Sequence, residues 1–109
     1  MIHVQKQKWT DFTRCIVVDT DGGSVQIELY STKQDWGGTA FIYGLWVEPE
    51  CRRKGIAGRL LDIAEAIVRE AGHKSVTLEW KLQDTPKEIL AWYERRKYKG
   101  ECTRMVKDL

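Results

Sequence analysis

The sequence lacks most of the features that announce a site by themselves. Histidine occurs twice, as His3 and His73, each far from the other, and no Cys-x-x-Cys pair exists. A metal centre is therefore not expected. Proline also occurs only twice, and no linker, internal repeat or low-complexity segment divides the chain. No apolar run is long enough to cross a bilayer. The N-terminal stretch lacks the apolar centre of a signal peptide. The three cysteines, Cys15, Cys51 and Cys102, are odd in number and widely spaced. They read as free thiols in a reducing, cytoplasmic compartment rather than as a disulfide frame. Charge of one sign is missing too. Eighteen basic against 16 acidic residues leave a net charge of +2, which argues against a dedicated nucleic-acid binder.

What is present fits one domain, residues 1–109, with 42% hydrophobic residues. Tryptophan is abundant, at five residues; these rings fill a small core or line a ligand groove. Ile2 to Lys8 reads as a first strand. Phe12 to Asp19 and Ser24 to Tyr30 are β-branched runs around Asp21-Gly22-Gly23, a hairpin signal. Ser31 to Thr39 is a polar loop. Ala40 to Glu48 barely alternates, as a central strand buried on both faces would.

Lys54 to Ala71 places Ile56, Leu60, Ile63, Ala64, Ile67, Val68 and Ala71 on one helical stripe, and Gly72 stops it. Ser75 to Lys81 is a strand. Thr85-Pro86-Lys87-Glu88 combines a capping box with proline at the first helical position, opening a helix to about Arg96. Tyr98 to Val106 reads as a last strand. The predicted order is β-β-β-β-α-β-α-β, an α/β domain with a mixed sheet.

The chemistry concentrates in Val47-Glu48-Pro49-Glu50-Cys51-Arg52-Arg53-Lys54-Gly55-Ile56-Ala57-Gly58-Arg59-Leu60-Leu61. A strand ends, a basic glycine-containing turn follows, and a long helix opens. The first turn of a helix has unpaired N–H groups and the positive end of the macrodipole. Small residues let an anion approach that backbone. Cations there are each unfavourable by about 0.3–1 kcal/mol without an anion. The cluster of Arg52, Arg53, Lys54 and Arg59 therefore points to a phosphate, and the strand–turn–helix reads as a site for a phosphate or a pyrophosphate.

These residues resemble the coenzyme A loop of the GNAT acetyltransferase superfamily. Arg52-x-x-Gly55-x-Ala57 fits the pattern Arg/Gln-x-x-Gly-x-Gly/Ala. Small Gly58 follows, Leu45-x-Val47-x-Pro49 precedes and Leu60-Leu61 continues. The resemblance covers about Ala40 to Gly100. It implies a GNAT-like acyl-CoA N-acyltransferase fold, mostly antiparallel, with two helices. It also implies acetyl-CoA as co-substrate and N-acetyl transfer to a primary amine by direct attack in a ternary complex. Arg52, Arg53, Lys54, Gly55, Ile56, Ala57 and Gly58 would hold the pyrophosphate. Backbone groups of Leu45 and Val47 would pair with the pantetheine arm and face the acetyl oxygen.

The segment Ile89-Leu90-Ala91-Trp92-Tyr93-Glu94-Arg95-Arg96-Lys97-Tyr98 resembles the family's "Ala-Ile-x-Phe-Tyr-Glu-Lys-x-Gly-Phe". Its tyrosine, Tyr93 here, is commonly the general acid for the departing thiolate. The family's glycine falls on Lys97, its preceding apolar residue on Arg96, and its helix-start asparagine on Pro86. Leu78-Glu79-Trp80 is similar to the strand that carries the base in ribosomal-protein alanine acetyltransferases. This makes Glu79 the candidate base, or the end of a water chain with Asp35 or Glu48. Neither Cys51 nor Cys102 has a partner base in sequence, so no acyl-enzyme is expected.

The family's one or two helices between its first and second strands cannot fit in the few residues here. An acceptor groove that is open, or completed by a second subunit in a homodimer, is implied. The competing readings are a non-catalytic acyl-CoA-binding or protein-interaction module, and a nucleic-acid-binding domain. The amine acceptor, small molecule or protein, is not specified by the residues, since this fold handles many.

Overall fold

The structure is a computed structural model of the 109-residue chain; it describes residues 1–80, 86–101 and 104–109. The strands are β1 (Ile2–Lys8), β2 (Phe12–Asp19), β3 (Gly23–Tyr30), β4 (Ala40–Val47), β5 (Ser75–Glu79), β6 (Lys99–Glu101) and β7 (Arg104–Asp108). The helices are α1 (Ile56–Glu70) and α2 (Pro86–Arg95), with a single 3₁₀ turn at Pro49–Cys51. One seven-stranded sheet runs β1-β2-β3-β4-β5-β7-β6. Every neighbouring pair is antiparallel except β4 with β5. The expected α/β fold and strand order are thus present, with one addition. The predicted last strand is two strands, β6 and β7, folded back on each other in the register Gly100↔Met105. Gly100 permits this at φ +151, where a Cβ would lie 2.5 Å from the Arg104 carbonyl oxygen. No Asn-Gly, Asp-Gly or proline stands between Gly100 and Arg104, so the sequence carried no hairpin signal for the reversal. Thr85 of the capping box and Cys102 lie outside the described residues.

Asp21-Gly22-Gly23 turns β2 into β3 as expected, with Asp19 paired to Gly23 and Gly22 at φ +124. The connection from β1 to β2 is residues 9–11 alone, so no helix stands there. The sheet's two faces consequently differ. Cys15, Val17, Val25, Ile27, Ala40, Ile42, Val76 and Leu78 alternate onto the face that α1 covers, and are buried. On the opposite face Trp9, Phe12, Tyr30, Trp36, Phe41 and Tyr43 form a row of rings with centroids 4.6–6.2 Å apart. The molecule measures only 19 Å along its short axis, which is a sheet and one helical layer of about 10 Å each.

Helix α1 buries Ile56, Leu60, Leu61, Ala64, Glu65 and Val68. Ala71, expected on this stripe, is exposed as the C-cap, because the buried face is centred toward Leu61 and Glu65. Glu65 is 4% exposed. It accepts there from the Tyr98 hydroxyl at 2.8 Å and from Lys107 Nζ at 2.8 Å, so this buried polar group has partners. The helix closes with His73 N–H on Val68 O and Gly72 N–H on Arg69 O, a Schellman cap with Gly72 at φ +91. Helix α2 closes identically, with Tyr98 N–H on Tyr93 O and Lys97 N–H on Glu94 O. Here Lys97 holds the left-handed position at φ +76, a conformation that costs a non-glycine residue about 1–2 kcal/mol.

Candidate functional site

The site arises because β4 parts from β5. Their parallel pairing is confined to Phe41↔Thr77 and Ile42↔Leu78. Beyond Ile42 a bulge bends β4 away: Gln26 pairs with Tyr43 but Ser24 with Trp46, and Gly44 takes φ +65. An extra residue in one strand locally bends and twists it. The parted strands leave a groove of about 1020 Å³. Leu45, Trp46 and Val47 form one wall, the start of α1 another, and Ile89, Trp92, Tyr93 and Arg96 of the α2 region a third. The sequence suggested a strand buried on both faces from Ala40 to Glu48. In fact Leu45 is half-buried and Trp46 exposed, since the bulge removes this end from the sheet.

The turn into α1 is uncapped. Arg53 takes φ 64 and Gly55 φ 81, and Gly55 is the N-cap without a side-chain hydrogen bond. The first amide of the helix to donate within the backbone is Arg59 N–H, to Gly55 O at 3.1 Å. Among the described residues, the amides of Arg53 to Gly58 donate to no backbone carbonyl, and the first turn carries no acidic residue. A run of unpaired N–H groups at a left-handed turn and a helix start is an anion-binding concavity. Gly55 has open space where a Cβ would stand.

The basic residues expected to surround a phosphate separate into two groups. Arg53 and Lys54 are exposed at the turn. Arg52 instead donates from Nε to Val47 O at 3.0 Å and lies 4.8 Å over the Trp46 ring. Arg59 turns to the buried Asp19 carboxylate, with Nε at 3.1 Å and Nη2 at 2.7 Å. The Asp21 amide, with that contact, holds the Asp19 carboxyl below the ordinary carboxylate range. Arg59 therefore staples α1 to the β2–β3 turn. Of the strand residues, Leu45 and Val47 both line the groove, but the Val47 carbonyl is already taken by Arg52.

Tyr93 is 4% exposed and lines the same groove. Its ring stacks on Trp80 at 6.1 Å and meets Trp92 and Tyr98 edge-on at 5.0 and 5.9 Å. Burial pushes its phenol up to about 12, so at neutral pH it rests as the neutral phenol, with a proton to donate. The structure thus brings Tyr93 and the uncapped turn from Arg53 to Gly58 onto one groove. Glu79 lies elsewhere. It points with Thr77 to the ring-lined face and pairs with Arg104 Nη2 at 2.7 Å, whose guanidinium sits over Phe41. Asp35 and Glu48 are exposed and outside the groove lining.

Two groups escaped the sequence reading. Glu28 accepts from Tyr30 Oη at 2.5 Å, Tyr43 Oη at 2.8 Å and Arg14 Nε at 3.2 Å. Despite its desolvation these bonds lower its carboxyl; burial, with the bond to Glu28, pushes Tyr43 up to about 12. Its only signal was the period-2 spacing that puts Glu28 and Tyr30 on one face of β3; Tyr43 joins them through the pairing of β3 with β4. The other is Arg96, which crosses from the end of α2 to α1; its signal was the departure from an apolar family position.

Comparison with known proteins agrees with this geometry. The family described as "Acetyltransferase (GNAT) family" matches residues 3–98. No curated protein matches in sequence. Among solved structures, a GNAT-family protein from Desulfovibrio desulfuricans superposes with a TM-score of 0.70 at 12% identity, covering 99% of both chains. The PaiA N-acetyltransferase of Thermoplasma acidophilum, solved with coenzyme A, gives 0.65 at 21% identity over 91% of this chain and 62% of its own. A chain of the NatC complex bound to a Gag peptide and coenzyme A gives 0.66 at 18% over 88% of this chain and 70% of its own. At these identities the structural likeness speaks for the fold, and the family match for kinship: the chain belongs to the GNAT acetyltransferase family.

Proposed function

We propose that the groove binds acetyl-coenzyme A and that the protein transfers the acetyl group to a primary amine by direct attack in a ternary complex. The observation that carries this reading is the run of unpaired amides from Arg53 to Gly58 opening into a groove that also contains the Tyr93 phenol. The amides receive the pyrophosphate, with Arg53 and Lys54 adding charge. The pantetheine arm lies along Leu45 to Val47, where β4 has left β5. Leu45 is better placed than Val47 to offer a backbone partner, because Arg52 occupies the Val47 carbonyl.

In the reaction the amine nitrogen bonds to the thioester carbon, the carbon–sulfur bond breaks, and the sulfur takes a proton from Tyr93. The amine's own proton leaves to a base. Glu79 takes that role, directly or through water, once its pair with Arg104 opens. The amine then approaches from the ring-lined face, which no helix of the described residues covers. That wall is open, or completed by a second copy of the chain. The odd number of cysteines, with Cys15 and Cys51 free among the described residues, fits a cytoplasmic setting.

A second reading, a non-catalytic acyl-CoA-binding module, draws support from the engagement of Glu79 with Arg104. Thiol release from acetyl-coenzyme A, measured over a panel of amines and peptide N-termini, decides between them. Saturable turnover with any acceptor supports transfer. Tight coenzyme binding with no turnover across the panel would favour the binding module.

A further inference from the structure

The residue that most changes the groove is Arg96. It follows α2 directly, where the resembling family segment has an apolar side chain. Its Nη2 donates to Gly58 O at 3.2 Å and pairs with Asp62 on the next turn of α1. Its guanidinium also lies 5.2 Å over the Trp92 ring. A Cβ added at Gly58 would stand 3.3 Å from Arg96 Nη1. The space left by the missing side chain on the first turn of α1 is therefore filled by a cation delivered from α2. Arg96 is 26% exposed and Asp62 70%, so the acid is mostly in water. Arg96 Nε is buried and has no hydrogen-bond partner among the described residues. All three residues, Gly58, Asp62 and Arg96, line the groove.

These facts describe a cation held next to an anion site by a weak, exchangeable partner. Exposed ion pairs contribute little, whereas a guanidinium on a phosphate in a partly dry site makes charge-assisted bonds that are distinctly stronger. The helix start favours an anion and disfavours the guanidinium itself; Asp62 offsets that cost while no phosphate is bound. We infer that Arg96 is a phosphate clamp of the coenzyme site, parked on Asp62 and exchanging that carboxylate for a coenzyme phosphate. It acts in place of Arg52 and Arg59, whose charges are engaged elsewhere. This rests on the coenzyme reading above and adds to it a residue from the other side of the groove.

The test compares the wild type, Arg96→Met and Asp62→Asn by calorimetry with three probes: coenzyme A, pantetheine and inorganic pyrophosphate. Methionine keeps the aliphatic stem on Trp92, and a melting curve with circular dichroism verifies the fold of each variant. Arg96→Met is expected to weaken coenzyme A and pyrophosphate about 10- to 100-fold and to leave pantetheine unchanged. Asp62→Asn is expected to tighten coenzyme A about 2- to 5-fold. Arg96→Lys is expected to recover part of the loss as a point charge. Folded Arg96→Met with wild-type affinity for coenzyme A would overturn the clamp and leave the coenzyme reading standing. So would an equal loss for coenzyme A and pantetheine, which marks a merely structural role. If the wild type binds pyrophosphate through Arg96 but not coenzyme A, the clamp stands and the coenzyme reading falls.

Discussion

Replacing Tyr93 by phenylalanine separates chemistry from packing in this site. The side chain is almost wholly buried among Trp80, Trp92 and Tyr98. The hydroxyls of Tyr30, Tyr43 and Tyr98 donate to carboxylates, but no such bond holds Tyr93 among the described residues. Tyr93→Phe therefore keeps the rings and breaks no hydrogen bond among the described residues. Stability should change by less than about 1 kcal/mol, against about 3–5 kcal/mol for an alanine that opens a cavity. Coenzyme affinity should stay within about twofold, since the variant alters no phosphate ligand. If the phenol protonates the thiolate, the chemical step should slow by about 10²–10⁴-fold, visible in single-turnover kinetics.

The pH dependence supplies a second check. Burial raises Tyr93 from 10.0 to about 12, favouring its neutral form in the fold. Its contribution is therefore complete below about pH 10, the unfolded value, and disappears as pH rises through about 12. Two units correspond to about 3 kcal/mol, so the wild type should lose stability between pH 10 and 12 more steeply than Tyr93→Phe. Parallel alkaline melting curves measure the difference. A variant that keeps its rate per folded molecule would refute the acid role whatever its melting behaviour.

Gly55→Val should abolish coenzyme binding and lower stability by about 1–2 kcal/mol: Gly55 holds φ 81 with open space where a side chain would stand, space that a phosphate needs; unchanged calorimetric affinity would count against the site. Lys97→Gly should stabilise the fold by about 1 kcal/mol, or some 4–8 °C, because the side chain pays a left-handed penalty at φ 76; a lower melting temperature would show that the lysine makes a compensating interaction. The row from Trp9 to Tyr43 on the uncovered sheet face should associate with a second copy at working concentration, as an exposed apolar patch does. Sedimentation showing a strict monomer, fully active alone on a small amine, would contradict that.

Local chemistry made much of this protein readable from its residues. The Asp21-Gly22-Gly23 hairpin, the stop at Gly72 and the glycine turn into α1 depend on backbone conformations that few residue types can adopt. Gly22, Gly55 and Gly72 all take the positive φ that their identity suggested. The amphipathic period placed α1 for the same reason. Tyr93 was recognisable only through a motif, since a buried aromatic looks the same in sequence whether it packs or donates a proton.

Charge partnerships were decided by the tertiary structure. Arg52, Arg53, Lys54 and Arg59 are neighbours in sequence and equal in formal charge, yet Arg59 serves Asp19, 40 residues away, and Arg52 serves a carbonyl. Arg96 reached α1 across 34 residues to Asp62, and Glu65 found Tyr98 and Lys107. The β6–β7 reversal and the bare ring-lined face also emerge only when the strands assemble. A long charged side chain takes its role from whatever desolvated or oppositely charged group the fold brings within its reach. The order of residues sets the turns and helix faces; three-dimensional proximity alone sets which of its cations remain to meet a phosphate.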